Sequence, residues 1–163
     1  MKTGDTMTTA TAVVRNVEDM EARWFYGGGT HLWLAREHET AGGFMLFEDL
    51  LTAGKTTPLH THPHEESFYV IEGAIRLHVH DTDRELRTGG FAVVPRDTPH
   101  AFLVTSPQAR VLSLHTPAGG EGFFRAASEP VQDGGAHPGL DIEKVVAAGV
   151  ASGAMTVVGP PPF

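Results

Sequence analysis

Cysteine is absent from the 163-residue chain, which excludes disulfides, zinc–thiolate sites and thiol catalysis together. The absence also fits a reducing compartment, and a cytoplasmic protein is expected. Basic charge is scarce: Lys and Arg number 12 against 20 Asp and Glu, for a formal net charge of -8 at pH 7. With no basic stripe to meet phosphates, no nucleic-acid partner is expected. Long apolar runs are missing as well. No stretch approaches the roughly 20 residues of a membrane-spanning helix, so no membrane partner is expected either. The opening residues, MKTGDTMTTATA, lack the apolar segment of a secretory signal. Residues 1–20 read as a flexible N-terminal arm, with a first strand or extended stretch over Val13 to Met20.

Turn chemistry is what the chain has in quantity. Its 19 Gly and 11 Pro suit short strands and turns more than helices. Strand signals fall at His31–Ala35, Phe44–Leu51, Phe68–Ile71, Ala74–His80, Phe91–Val94, Ala101–Thr105 and Arg110–His115. In Ala74–His80, Ile75, Leu77 and Val79 alternate with Arg76, His78 and His80, so the apolar set faces inward. Many short strands at near-regular spacing indicate a sandwich or closed barrel. With no internal repeat, one barrel is expected, over residues 21–118. Residues 119–163 change character: Glu121 to Ala127 reads as a helical turn carrying Phe123 and Phe124. A second helix starts near Asp141, with Ile142, Val145, Val146 and Gly149 on one face. This section is expected to pack on the barrel as a C-terminal helical segment.

The chemistry concentrates between Gly54 and Gly73. His60, His62 and Glu66 stand at i, i+2 and i+6, which places them on one face of an extended strand. Two imidazoles and a carboxylate suit Fe, Mn, Co, Ni, Cu or Zn. A fourth ligand has to come from another strand, and the turn Thr98-Pro99 delivers His100. A lone His-x-His carries little information in a chain with 10 His. His78-Val79-His80 is the internal control: it lacks the following glutamate and sits on the outer face. His64 shares the parity of the ligand histidines and reads as a pocket or turn residue. His115 reads as a core histidine that points inward from a late strand.

At these residues the chain resembles the cupin superfamily. The first cupin motif, Gly-x5-His-x-His-x3–4-Glu-x6-Gly, is met by Gly54, His60, His62, Glu66 and Gly73. The second, Gly-x5-Pro-x-Gly-x2-His-x3-Asn, is met by Gly89, Pro95 and His100, with Asp97 and Val104 replacing its glycine and asparagine. The resemblance implies an all-β cupin fold, a double-stranded β-helix or jelly-roll barrel. It implies one divalent transition metal ion held by His60, His62, Glu66 and His100. The competing reading is a barrel that has lost its metal and kept the side chains.

Strand parity puts Phe68, Val70, Phe102 and Val104 around the ligands, with Phe44, Leu46, Trp33 and His64 as further candidates for a substrate pocket. Beyond the motifs, Thr116-Pro117-Ala118-Gly119-Gly120 leading into Phe123-Phe124-Arg125, and the closing Gly159-Pro160-Pro161, resemble more loosely the tails of small single-domain bacterial cupins similar to quercetin dioxygenases. That resemblance implies a flavonol-like or other aromatic or polyketide enol as small-molecule substrate, with dioxygen as a candidate co-substrate. Glu66 then takes the substrate hydroxyl proton. The alternatives are a redox-neutral isomerase, cyclase or lyase on the same metal, and a non-catalytic binder. A homodimer is expected from the same family likeness.

Overall fold

The structure, a computed structural model, describes residues 12–163; the first eleven residues of the expected arm lie outside that range. Val13 to Met20 does not form a strand. A single 3-10 turn occupies Val17–Asp19, and the Asp19 carboxylate accepts the Asn16 backbone N–H at 3.2 Å. A short polar segment with Asn and Asp three apart favours a capped turn over extended pairing.

Twelve strands follow: β1 (Ala22–Trp24), β2 (Gly29–Ala35), β3 (Met45–Thr52), β4 (Leu59–Thr61), β5 (Glu65–Glu72), β6 (Ala74–Val79), β7 (Thr82–Arg87), β8 (Phe91–Val94), β9 (His100–Val104), β10 (Gln108–Thr116), β11 (Glu129–Pro130) and β12 (Thr156–Gly159). Two helices, α1 (Glu121–Ala127) and α2 (Ile142–Ser152), complete the chain. The strands form a seven-stranded sheet, β11-β1-β2-β3-β10-β5-β8, and a five-stranded sheet, β12-β4-β9-β6-β7. The strand pairings within both are antiparallel. The sheets face each other and share one apolar interior that includes Trp33, Phe47, Val70, Ile75 and Val111. This is the all-β fold expected from the turn spacing.

Alternation drives each buried face. Ile75 and Leu77 of β6 are buried, as their period-2 pattern requires. The β6–β7 hairpin turns through His80 and Asp81, at φ 50° and 56°, the left-handed pair of a two-residue turn. The His78 ring on the outer face pairs with Asp83 at 2.7 Å.

Residues 119–163 are less purely helical than expected. Besides α1 and α2 they give one strand to each sheet, β11 against β1 and β12 against β4. Asp141 caps α2, accepting from the Lys144 backbone N–H at 2.9 Å. The buried face of α2 is Val145, Ala148 and Gly149, whereas Ile142 and Val146 are exposed. The stripe is rotated because Gly149 packs its bare Cα against Met155 O. Among the described residues no helix is long and apolar enough to cross a membrane.

Candidate metal centre

The ligand types do not line up along one strand. Between His62 and Glu65 the chain bends and leaves the five-stranded sheet for the seven-stranded one. His60 on β4 sits in register with His100 on β9, and His62 follows directly after β4. Glu66 comes from β5 in the opposite sheet, in register with His115 of β10. The site therefore forms across a corner, where the sheets converge. The i, i+2, i+6 spacing reaches the same grouping through a turn that strand parity alone does not foresee. The Asp97 backbone N–H holds this corner, donating to His62 O at 2.8 Å.

His60, His62, Glu66 and His100 are all buried, and one donor atom from each lies within 4.8 Å of the others. The imidazoles are oriented by the backbone. Nδ1 of His60 lies 2.8 Å from Pro58 O, Nδ1 of His62 lies 2.7 Å from His64 O, and Nδ1 of His100 lies 2.8 Å from Thr98 O. A carbonyl only accepts, so each Nδ1 donates, and each ring is left with Nε2 turned inward, where its lone pair is the one free to bind an ion. Nε2 of His62 and Nε2 of His100 then lie 2.9 and 3.1 Å from the same oxygen, Glu66 Oε2. Lone pairs and a carboxylate converging on one point need a shared cation. This donor set and spacing fit a first-row divalent ion, with the backbone carbonyls fixing the ring orientations.

The electrostatics follow from the crowding. Burial pushes His60 down to about 3, reinforced by the neighbouring His100. Burial also pulls on His62, but contact with Glu66 outweighs it and leaves this imidazole above its ordinary value. For Glu66, burial alone would raise the carboxyl; His115, His100 and His62 around it win and hold it well below the usual carboxylate range. His64 is pushed down to about 3 by burial and by His115 and His62.

His64 and His115 flank the cluster. The His64 ring stacks on His62 with centroids 4.2 Å apart and planes 4° from parallel, and lies 4.4 Å from the His115 ring. His115 Nε2 lies 3.2 Å from Glu66 Oε1, off the line of a hydrogen bond. Both His115 ring nitrogens and His64 Nε2 are buried without a hydrogen-bond partner.

A cavity of about 30 Å³ adjoins these residues, walled by aromatic side chains that include Phe25, Tyr26, Phe47, Phe68, Phe102, Phe123 and Phe124. Of the expected pocket residues, Phe68, Phe102 and His64 line it. Val70, Val104 and Trp33 are buried in the apolar interior away from its wall. Phe44 and Leu46 do not face it. Phe44 precedes β3 and is 40% exposed, and Leu46 alternates with the inward-facing Met45 and Phe47. The row Phe44-Met45-Leu46-Phe47 is apolar at every position, so it offers no period-2 contrast, and the correct parity is the opposite one.

That parity brings in a residue the sequence reading missed. Asp49 is buried on the inner face of β3 and lines the cavity, together with Ser113 and Thr57. The β3 run Glu48-Asp49 is the one sequence signal that could have found it, since strand alternation must bury one of two adjacent acids. The cap residues Phe123, Phe124 and Met155 also reach the cavity, from α1 and from the link between α2 and β12.

Comparison with known proteins adds three findings. The cupin domain family matches residues 47–115. Quercetin 2,3-dioxygenase of Bacillus subtilis (strain 168) is 27% identical over 111 residues, which is 68% of this chain and 33% of that protein. The chain thus spans about one third of that relative's length. Among solved structures, KdgF from Halomonas sp. superposes with a TM-score of 0.60 at 21% identity, over 66% of this chain and 94% of the other. The polyketide cyclase RemF from Streptomyces resistomycificus gives 0.58 at 24% identity, over 83% and 92%. Such identities speak for the fold alone. The family match covers β4 to β9 and most of β3 and β10, the strands that carry the histidine–glutamate cluster, and so residues 47–115 are a cupin domain in a chain that folds as a cupin.

Proposed function

We propose that the protein is a metal-dependent cupin enzyme, and that it is a dioxygenase acting on a flavonol-like or other aromatic or polyketide enol. The observation that carries this reading is the convergence of the three Nε2 lone pairs and the Glu66 carboxylate at the wall of an aromatic-lined cavity. His60, His62, Glu66 and His100 would hold the ion. A divalent transition ion there supplies a Lewis acid for a substrate oxygen and, where redox-active, a route for electrons to dioxygen.

The chain's own groups do the rest. Glu66 Oε2 faces the histidine nitrogens, while Oε1 is turned toward His115. A substrate hydroxyl entering beside the cluster meets Oε1 as its proton acceptor. The phenylalanine walls stack on a flat ring and exclude water from the reacting atoms. A cavity of about 30 Å³ holds roughly two waters, and small-molecule sites usually run to roughly 300 Å³ or more. Binding a ring system therefore requires Phe123, Phe124 and Met155 to move outward.

The sequence likeness to a quercetin 2,3-dioxygenase supports the oxidative reading. The fold likeness to a polyketide cyclase, over more of this chain, keeps a redox-neutral step on a similar substrate as the second reading; a non-catalytic binder is the third. Metal analysis and an oxygen electrode separate them. Protein loaded with each divalent ion in turn is expected to bind one ion per chain, and His62→Ala to bind almost none. Oxygen uptake matching the loss of flavonol absorbance supports the dioxygenase, and substrate conversion without oxygen uptake replaces it with the redox-neutral reading. Inertness with every ion leaves the binder.

The expected homodimer has a candidate face. Tyr69 on β5 and Phe91 on β8 are register partners, and with Val93 they are exposed on the outer face of the seven-stranded sheet beside its edge strand β8. An exposed apolar patch of this kind is commonly covered. Two-fold packing of this face against the same face of a second copy would cover it. Sedimentation of the wild type as a dimer and of Phe91→Asp as a monomer would support that assembly; a monomeric wild type removes it.

A further inference from the structure

The cavity has two polar regions, and the metal centre is only one of them. On the inner face of the seven-stranded sheet, His31, Asp49 and Ser113 sit on the neighbouring strands β2, β3 and β10. His31 Nδ1 donates to Asp49 Oδ1 at 2.5 Å, and Ser113 Oγ donates to Asp49 Oδ2 at 3.4 Å. His31 is fully buried among the rings of Phe47, Phe25, Phe124 and Trp33, with centroids 4.0, 4.6, 4.9 and 5.4 Å away. Those rings lock the imidazole, and the imidazole locks the carboxylate. Asp49 and Ser113 line the cavity, and His31 stands behind them.

This arrangement is expensive to build and incompletely used. An acid on the inner face of a barrel strand is unfavourable unless its oxygens are satisfied. An ionised carboxylate accepts about four hydrogen bonds, yet the side chains around Asp49 supply two, one of them long. The same cavity wall carries three buried ring nitrogens without a partner, on His64 and His115. Donor and acceptor capacity is thus left open at two places on one wall. Register gives the spacing. Glu66 pairs with His115 and Asp49 with Val111, four residues apart on β10; at about 3.4 Å per residue those rungs are about 14 Å apart along the strand, with Ser113 about halfway.

We propose that Asp49, positioned by His31 and Ser113, is the distal recognition residue of the pocket. It accepts a hydrogen bond from a hydroxyl of the substrate about 7–14 Å from the oxygen held at the His60, His62, Glu66 and His100 end. This deepens the enol reading, on which it rests, and narrows the substrate class. The ligand is a flat molecule of two or three rings with an enol or phenol oxygen at one end and a free hydroxyl at the other. A site that hydrogen-bonds a hydroxyl rejects the analogue lacking it far more strongly than an apolar pocket does.

The test is equilibrium binding to metal-loaded protein, read from the absorbance shift of the probe without turnover and under argon. Three probes share one enol head: 3-hydroxyflavone, with no further hydroxyl; quercetin, with distal hydroxyls; and quercetin with those distal hydroxyls methylated. Wild type is expected to prefer quercetin at least about 10-fold over the other two. In Asp49→Asn that preference falls to within about 2-fold, while 3-hydroxyflavone binds as before and metal content is unchanged. Ser113→Ala is expected to lower the preference in part. Should Asp49→Asn fail to fold, the wild-type comparison of the three probes decides alone. Equal binding of all three to wild type, or an unchanged preference in Asp49→Asn, overturns the distal residue and leaves the enol reading intact. Failure of wild type to bind any of the three overturns both.

Discussion

A methyl group at residue 73 would break the turn that leaves β5. Gly73 has φ 82°, and a Cβ there would stand 2.2 Å from Gln108 O and 2.9 Å from Ala109 Cα. Gly73→Ala is expected to cost at least about 2 kcal/mol in urea unfolding, because backbone atoms cannot yield as a side chain can. Asp97, which stands where the cupin motif has glycine, is the milder case. It is left-handed at φ 57°, a conformation aspartate tolerates, so Asp97→Gly should change stability by less than about 1 kcal/mol. Asp97→Val should destabilise and loosen the corner at His62. Lys55 gives a pH signature. Burial drives its amine down to about 7, against a partial restoring pull from Asp49. Between that value and its ordinary one the unfolded chain holds a proton that the folded chain has released. Stability should therefore rise with pH from about 7 to 10, with a slope of up to roughly 1.4 kcal/mol per unit. Lys55→Met should flatten that rise in denaturation curves measured at each pH.

Among the elements, α1 matters most to access, and one acid ties it down. Glu21 accepts from Arg125 of α1 at 2.8 and 3.0 Å and from Arg36 at 2.6 Å, while Arg23 reaches Arg125 O and Ser128. The Arg125 hydrogen bonds hold the Glu21 carboxyl below its ordinary value, against the opposing effect of burial. A lowered acid contributes stability above its unfolded value, and that contribution disappears as pH falls through the folded one. Glu21→Gln should thus lower the thermal midpoint at pH 7, by an amount worth about 1 kcal/mol. The difference from wild type should begin to shrink as pH falls below about 4 and should vanish once pH lies below the lowered folded value. The elements also show what a sequence can carry. Ile75, Leu77 and the Asp141 cap were legible because polar and apolar positions contrast, or because a side chain meets its own backbone. The inner face of β3 was not. Its run is apolar on both sides, and the choice of Asp49 over Glu48 is settled by His31 on another strand. The grouping of His60, His62 and Glu66 was legible from spacing and His100 partly from the family resemblance, but the route was not, since the bend before Glu65 depends on which sheet accepts β5.

For the whole molecule, the two sheets are bridged at the candidate metal centre by His60, His62 and His100 on one side and Glu66 on the other. An ion that binds only when both sheets are in place stabilises the folded state by mass action. Saturating divalent ion should raise the unfolding midpoint by several degrees in calorimetry, chelator should reverse the gain, and His62→Ala should show neither effect. The pairing of β12 with β4 has a further consequence, in time. β12 lies in register with His60, Val157 opposite that ligand, yet it is separated from β4 by about 95 residues of chain. At roughly 5–20 residues per second, a ribosome needs several seconds after making the ligand strand before it makes that strand's outer neighbour. Throughout that interval β4 has an open edge, so the strand that carries His60 is expected to be held from the β9 side alone until β12 has been made.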